Sequence, residues 1–157
     1  MKYVKEIMPY VIIVVVVVLF RSYIATPVRV DGDSMYPTLK NGQILILNKL
    51  DKEYERMEIV VFDYKGERLI KRVIGLPGEE VYIKDNKIYV NDEEIKDYSD
   101  SVITADYKKV KVPDNSYFVL GDNRGGSADS RILGMISIDE IKGSILFRLL
   151  PPTKIGK

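Results

Sequence analysis

Hydrophobic residues follow two different patterns along the chain. From Ile7 to Phe20 they form one run without a charged residue, apolar on every side of a helix rather than on one face. Continued to Ala25, this segment would span about 28 Å as a helix, close to the hydrocarbon core of a bilayer at about 30 Å. Because an isolated strand in lipid leaves its backbone unpaired, the pattern predicts a single transmembrane helix over 7–25, with Arg21 reaching the outer interface.

A removable export signal is the alternative interpretation of this segment, since the basic stretch Met1–Lys5 precedes an apolar one. The cleavage site would be poor, because Tyr23 stands where a small residue is needed and Pro27 follows shortly after. We therefore favour an uncleaved anchor. Lys2 and Lys5 favour a cytoplasmic N-terminus, residues 1–6, which places residues 26–157 outside the plasma membrane as the exported part of a single-pass protein.

After the predicted anchor, the pattern changes to short runs of β-branched and aromatic residues between turn signals, which is typical of strands. These runs predict a mostly antiparallel β domain over 26–157, with one or two short helices. The predicted strands are Gln43–Asn48, Ile59–Tyr64, Arg68–Leu76, Glu80–Lys84, Lys87–Val90, Ser116–Leu120 and Ser144–Leu150.

Turn and cap signals add detail to this domain. Residues 84–87 predict a tight hairpin, and the Pro-Gly pair within 76–79 predicts a turn. A short helix is predicted from Ser137, where Glu140 completes a capping box and Gly143 ends the helix. The segment 91–111 is charged and weakly patterned, so we expect a hairpin extension or long loop away from any functional site.

Composition narrows the range of possible chemistry. The chain carries 24 Lys and Arg against 23 Asp and Glu, and a formal net charge of +1 gives no basic field for nucleic acid. The absence of His and Cys excludes a Ser-His-Asp triad, a thiolate nucleophile, a disulfide and any metal site built from imidazole or thiolate. Catalysis would have to use Ser, Thr, Tyr, Lys, Arg, Asp or Glu.

Two segments that break the strand pattern carry a hydroxyl and two cations. Ser34 lies among small and turn-forming residues at 31–39. In 69–75 apolar residues alternate onto both faces of the predicted strand, so Lys71 or Arg72 is expected to be partly buried. Taken separately, the two segments also fit ordinary structural interpretations, as a turn and a pair of surface cations.

A third such segment, 121–131, is polar and follows directly on an apolar strand. It does not fit a calcium-binding EF-hand loop, because Arg124 occupies a ligand position. An exposed loop and an ordered network of Asp, Arg and hydroxyl groups remain as alternatives.

Together the segments favour catalysis. A serine nucleophile in a chain without His needs another base, and a buried lysine can lose its proton near neutral pH while a guanidinium stays charged. Ser34 and Lys71 are therefore a candidate nucleophile and base.

The three segments resemble the type I signal peptidases, membrane-anchored Ser-Lys proteases that remove signal peptides from exported preproteins. Residues 34–39 read S-M-Y-P-T-L, against the family's S-M-x-P-T-L. Residues 71–79 read K-R-V-I-G-L-P-G-E, against K-R-[IVA]-[IV]-G-x-P-G-[DE]. Residues 121–131 read G-D-N-R-G-G-S-A-D-S-R, against G-D-N-R-x-x-S-x-D-S-R. Their order behind an N-terminal anchor is similar to the single-span form of the family.

The resemblance implies a Ser-Lys dyad mechanism. Ser34 would attack the scissile carbonyl, Lys71 would be the general base, and Ser127 would hydrogen-bond and orient the Lys71 amine. The backbone N–H of Ser34 would be one oxyanion donor. Structural support would come from four further residues of the third segment: a pair formed by Asp129 and Arg131, together with Asp122 and Arg124.

The resemblance also implies a mostly antiparallel β fold related to that of the self-cleaving repressors. Its substrates would be preprotein signal peptides with A-x-A cleavage sites, and it implies no metal or organic cofactor. The expected partners are these signal peptides and the lipid bilayer, with the export machinery as a further candidate and nucleic acid not expected. Nothing in the sequence predicts an oligomeric state.

Two positions depart from the family pattern. Gly32 stands where some members place a hydroxyl as the second oxyanion donor, so that donor would come from elsewhere in the Gly32 region, from a backbone N–H or a water. Met57 stands where the family commonly has Gly in R-G-D, so we expect a local change of turn. Because Ser34 follows the anchor closely, we also expect an apolar patch including Met35 or Tyr36 to face the lipid.

Two other functions are alternatives. The first is a dedicated processing protease with a narrow substrate set. The second is a catalytically silent, membrane-anchored domain that binds or assembles exported proteins. A self-cleaving repressor is excluded, because those proteins carry a DNA-binding domain where this chain has the predicted anchor.

Overall fold

The computed structural model describes residues 2–23, 25–97, 103–149 and 153–154. It begins with helix α1, Lys2–Tyr23, against the prediction of 7–25. Within the described part of the chain, no helix combines the length and the apolar character needed to cross a membrane. The anchor over 7–25 stays a prediction.

The rest of the chain is built mainly from strands. Their bounds are β1 Ala25–Arg29, β2 Ile44–Asn48, β3 Ile59–Tyr64, β4 Glu67–Gly75, β5 Glu80–Lys84, β6 Lys87–Val90, β7 Glu93–Ile95, β8 Tyr107–Lys111, β9 Ser116–Leu120, β10 Ile136–Ser137, β11 Ile141–Arg148 and β12 Thr153–Lys154. Three short helical elements interrupt them: a 3₁₀ turn at Arg124–Gly126, helix α2 at Ser130–Leu133 and a 3₁₀ turn at Ile138–Glu140.

The strands form two antiparallel sheets. The larger has eight strands in the order β1-β2-β11-β3-β4-β9-β10, with β12 also paired to β11. The smaller has four, in the order β7-β6-β5-β8. The mostly antiparallel β fold predicted from the alternating runs is therefore confirmed, and β3, β5, β6 and β9 have the predicted bounds.

Apolar side chains from these strands fill three buried clusters. The first lies among β1, β2, β3 and the segment after β1, and includes Leu45, Val61 and Met35. The second lies between β3, β4 and β9, around Phe62 and Val119. The third joins the four-stranded sheet to β4 and β9 and consists of Ile74, Val81, Ile83, Ile88, Val90, Val112, Phe118 and Leu120. Strand β4 contributes to all three clusters, which places its middle residues in the protein interior.

Both predicted turns are present. Asp85 and Asn86 have φ values of 51° and 65°, as a two-residue hairpin turn of type I′ requires. Gly78 has a φ of 83°, and the N–H of Glu79 donates to the carbonyl of Leu76. Local turn chemistry was thus sufficient to predict both reversals.

The predicted helix from Ser137 is correct at its start and wrong at its end. Ser137 and Glu140 form the expected capping box, but the element is a single 3₁₀ turn, and β11 begins at Ile141. Gly143 lies inside β11 with a φ of 150°, where a Cβ atom would come within 1.8 Å of the Asn48 carbonyl oxygen. This glycine permits a close approach of two strands and does not end a helix.

The weakly patterned segment 91–111 also differs from expectation. It contributes β7 and β8 to the four-stranded sheet. Through Asp97 it contacts the polar segment 121–131, so the prediction that it lies away from any functional site is wrong.

Candidate active site

Ser34 lies in a tight turn after β1. The N–H of Tyr36 donates to the carbonyl of Asp33, and the N–H of Leu39 donates to that of Met35. Met35 and Leu39 are both buried, which anchors the turn in the first apolar cluster. Ser34 itself is half-buried, so its hydroxyl is held at the edge of the core.

Lys71 comes from the middle of β4 and reaches this hydroxyl. Its Nζ lies 2.8 Å from Ser34 Oγ and donates to the Ile70 carbonyl at 3.0 Å. The residue is 2% exposed. Burial lowers the pKa of the Lys71 amine from 10.5 to about 8, against the opposing effect of the nearby carboxylates of Asp129 and Asp122. A large fraction of the amine is therefore neutral at mildly alkaline pH.

Arg72, the next residue of β4, is also buried but has an ionic partner. Its Nε and Nη2 donate to the two carboxylate oxygens of Asp122, at 2.9 and 2.6 Å. Its Nη1 donates to the carbonyl of Met57. We expected one of the two cations to be partly buried. In the structure, Lys71 and Arg72 are both almost completely buried.

Asp129 and Arg131 form the predicted pair in the polar segment. Arg131 Nε and Nη2 each donate to Asp129 at 2.8 Å, and Arg131 Nη2 also donates to the Arg124 carbonyl. The Asp129 carboxylate accepts from the N–H of Gly121 as well. This network holds the segment in a defined shape beside Lys71.

Arg124 and Asp122 both act as supports, each with a partner outside the segment. Asp122 pairs with Arg72, and Arg124 donates from Nη1 and Nη2 to Asp97 at 2.6 and 2.5 Å. The Arg124 side chain is 0% exposed. The sequence motif indicated Arg124 but not its partner.

The predicted hydrogen bond from Ser127 to the Lys71 amine is absent. Ser127 is buried, and its Oγ has no hydrogen-bond partner among the residues that the structure describes. The Lys71 Nζ instead contacts Ser34 Oγ and the Ile70 carbonyl. The Ser127 hydroxyl packs against the backbone of Gly121, where a Cβ atom would come within 2.1 Å of it.

The Gly32 region contains two backbone N–H groups, those of Gly32 and Ser34, that differ in their hydrogen bonding. The N–H of Gly32 donates to Asn41 Oδ1 at 3.3 Å, and Gly32 has a φ of 85°. The N–H of Ser34 makes no hydrogen bond to any residue that the structure describes.

A groove of about 480 Å³ opens beside the Ser34 hydroxyl. Its lining mixes apolar and charged residues: Arg29, Val30, Asp31, Ser34, Met35, Glu67, Arg68, Leu69, Ile70 and Lys71. No group of three or more Asp or Glu side chains in the described ranges is placed to hold a metal ion.

The two candidates for lipid contact lie in opposite environments. Tyr36 is 51% exposed, whereas Met35 is 1% exposed and belongs to the first apolar cluster. The prediction that Met35 faces the membrane is therefore wrong, because the turn directs its side chain into the core.

The local change of turn expected at Met57 stays a prediction. Its φ is 72°, a left-handed conformation that a non-glycine residue rarely adopts. Its carbonyl accepts from Arg72 Nη1, and its N–H donates to the Val73 carbonyl. Met57 thus holds a backbone conformation usual for glycine, next to the buried Arg72.

Two residues of the site were not identified from the sequence. The N–H of Asn123 donates to the Ser34 carbonyl, and its Nδ2 donates to the Asp33 carbonyl, so Asn123 holds the peptide groups on both sides of Ser34. Its place in the G-D-N-R motif was the available signal. Asp97 had no sequence signal, because its partner Arg124 is far along the chain.

Comparison with known proteins identifies the family of the chain. The family model for signal peptidase, peptidase S26, matches residues 2–150. The chain belongs to the signal peptidase family. It is 39% identical to signal peptidase I S of Bacillus subtilis, over 94% of this chain and 89% of that protein. It is 36% identical to signal peptidase IB of Staphylococcus aureus, over 94% of this chain and 91% of that protein.

A solved structure from the signal peptidase family is also similar. The crystal structure of a signal peptidase I from Enterococcus faecalis matches with a TM-score of 0.54 and 32% identity, over 59% of this chain and 96% of that one. The antiparallel β architecture described above is thus shared with a signal peptidase I of known structure.

Proposed function

We propose that this member of the signal peptidase family is a serine endopeptidase, a signal peptidase I that removes signal peptides from exported preproteins. The observation that carries this proposal is the distance of 2.8 Å between Lys71 Nζ and Ser34 Oγ, in a site where burial lowers the Lys71 pKa to about 8. A Ser-Lys mechanism needs a hydroxyl nucleophile and, within hydrogen-bond distance of it, an amine whose pKa lies near the working pH.

In the proposed first step, Ser34 Oγ attacks the scissile carbonyl while neutral Lys71 takes the hydroxyl proton. The Ser34 N–H, free of other hydrogen bonds among the described residues, donates to the developing oxyanion. The Lys71 ammonium then gives its proton to the leaving amine, and an acyl-enzyme remains. Water hydrolyses this ester by the same route, with neutral Lys71 again as the base.

The groove supports a peptide with small side chains next to the scissile bond. Its lining combines the apolar residues Val30, Met35, Leu69 and Ile70 with charged ones. The apolar part of this lining is in keeping with the A-x-A sites implied by the sequence resemblance.

We also propose that residues 7–25 anchor the protein in the plasma membrane, with residues 1–6 in the cytoplasm and residues 26–157 outside. The support for this topology is the uncharged apolar run after Lys2 and Lys5. A shared membrane would raise the effective concentration of a preprotein whose own signal peptide lies in the bilayer.

The test is cleavage in detergent of several unrelated preproteins with A-x-A sites. We expect wild-type protein to cleave them, and both Ser34→Ala and Lys71→Met to lose activity by at least roughly 10³-fold. Lys84→Met, at an exposed lysine of the β5–β6 hairpin, is the matched control and should be fully active.

The outcome separates the alternatives. Cleavage of one preprotein out of many would support a dedicated processing protease. A wild-type protein inert on every substrate would contradict the proposal and favour a binding domain. Full activity in either dyad variant would contradict the mechanism.

A further inference from the structure

Asp97 lies outside the three sequence motifs, directly after β7 of the four-stranded sheet. Its carboxylate accepts from both terminal nitrogens of Arg124, at 2.6 and 2.5 Å. The Asp97 side chain is 13% exposed and the Arg124 side chain 0%. Both charges are thus almost removed from water, where a bidentate pair is strong and a lone charge is very unfavourable.

Arg124 transmits this contact to the backbone of Gly121. Its Nε donates to the Gly121 carbonyl at 2.9 Å, while the Gly121 N–H donates to Asp129 Oδ2 at 3.0 Å. The backbone of Gly121 is therefore fixed at both its N–H and its carbonyl. Asp129 is in turn one of the carboxylates whose charge acts on Lys71.

Gly121 is the point where the polar segment packs against the nucleophile. A Cβ atom there would come within 2.1 Å of Ser127 Oγ and 2.6 Å of the Ser34 carbonyl oxygen. Contacts this tight mean that a shift of the Gly121 backbone must displace the Ser34 turn or the buried Ser127 hydroxyl. Side chains in close-packed interiors transmit such shifts.

We propose that Asp97 is a positioning residue for the Ser34–Lys71 pair, acting through Arg124 and the Gly121 backbone. It connects the four-stranded sheet, which contains none of the motif residues assigned a catalytic role, to the reacting atoms. This inference rests on the proposed peptidase function. It assigns a role in the reaction to a segment that lies outside all three motifs.

The test compares Asp97→Ala, Asp97→Asn and Asp97→Glu with wild type. Glu94→Gln is the matched control, because Glu94 belongs to the same segment and pairs with Lys87 at the exposed surface. For each variant, kcat and KM on an A-x-A preprotein are measured from pH 6 to pH 10, and folding is followed by circular dichroism at the assay temperature.

We expect Asp97→Ala to lower kcat by roughly 10- to 100-fold, with KM within about twofold of wild type, because the groove is intact and the reacting groups are displaced. We expect its rising pH limb to move to higher pH, since water reaching the loosened segment would weaken the burial of Lys71. The charged groups that act on the Lys71 amine are Asp122 and Asp129, and both carboxylates are present in every variant. Asp97→Glu should restore the wild-type limb at least in part, and Glu94→Gln should match wild type.

Wild-type cleavage with a normal pH limb in folded Asp97→Ala and Asp97→Asn would overturn the inference, even if both variants melt at lower temperature. If Asp97→Ala does not fold, the neutral Asp97→Asn variant decides in the same way, because it is close in shape to Asp97. Failure of the proposed function would look different, since wild type itself would then be inactive.

Discussion

The polar network beside Lys71 and the four-stranded sheet use charged residues in opposite ways. In that network, the pairs Arg72–Asp122, Arg131–Asp129 and Arg124–Asp97 are no more than 14% exposed on either side. On the four-stranded sheet, the pairs made by Lys87 and Lys109 are 44–65% exposed. Buried charges need partners because their desolvation is unfavourable, whereas exposed ones are stabilised by water.

Lys71 differs from the other buried cations because it has no carboxylate partner within the part of the chain that the structure describes. Among the buried cations of the described residues, Arg72 and Arg124 each have a bidentate carboxylate, and Lys71 has none within ion-pair distance. The protein interior thus stabilises two guanidinium ions that cannot lose a proton, and lowers the pKa of the one amine that can.

Breaking a buried pair should have the largest effect on stability. Asp122→Ala leaves the Arg72 guanidinium buried without its carboxylate, and we expect the free energy of unfolding to fall by about 3–5 kcal/mol. Urea denaturation of wild type and variant measures the difference. A loss below about 1 kcal/mol would mean that Arg72 finds water or another partner, in contradiction to its burial.

Removing the unpaired cation should act in the opposite direction. At pH 7 the folded protein must bury a Lys71 ammonium, and the fall in pKa from 10.5 to about 8 corresponds to a cost of up to roughly 3 kcal/mol. Lys71→Met should therefore be more stable than wild type by up to that amount, while losing activity.

The size of this effect decreases with rising pH in a defined way. Below about pH 8 both states of wild type are protonated at Lys71, and the full cost is present. Between about 8 and 10.5 the folded state has released the proton and the unfolded state has not, so wild-type stability rises and the advantage of Lys71→Met shrinks. Denaturation at pH 7 and pH 9.5 tests this, and an advantage that is absent or independent of pH would contradict it.

A smaller effect is expected at Asn123. Asn123→Ala removes the hydrogen bond from Nδ2 to the Asp33 carbonyl, for a loss of about 0.5–1.5 kcal/mol in stability. Because that carbonyl precedes Ser34, kcat should fall by roughly tenfold. Asn115→Ala, at an asparagine of the β8–β9 connection, is the control. Equal kcat values in the two variants would exclude a positioning role for the Asn123 side chain.

The smallest effect is expected on the four-stranded sheet. Glu94→Gln breaks the ion pair with Lys87, in which both side chains are about half exposed, and we expect Tm to change by less than about 2 °C. Thermal denaturation at low and high salt measures this. A shift as large as that of Asp122→Ala would remove the difference between the buried network beside Lys71 and the four-stranded sheet.

The fold was predictable where the signal is local. Strand β5 and its hairpin with β6 follow from alternating side chains and two residues that tolerate positive φ. Helix α2, with four residues, is too short to show a period. Gly143 was misinterpreted because the close approach of Asn48 is a tertiary contact.

The candidate site was predictable where chemistry limits the choice. The absence of His and Cys, together with the motifs, indicated Ser34 and Lys71. Side-chain direction and distant pairing were not encoded locally. Met35 follows Ser34 but points into the core, and Asp97 meets Arg124 across a weakly patterned segment.

The most direct test of the Ser-Lys proposal is the pH dependence of kcat/KM for cleavage of an A-x-A preprotein by wild type. We predict a single rising limb with a midpoint near pH 8, below which activity falls about tenfold for each pH unit as Lys71 is protonated. A profile that is flat from pH 6 to pH 9, or a limb that persists in a Lys71→Met variant with full activity, would contradict a buried lysine as the catalytic base.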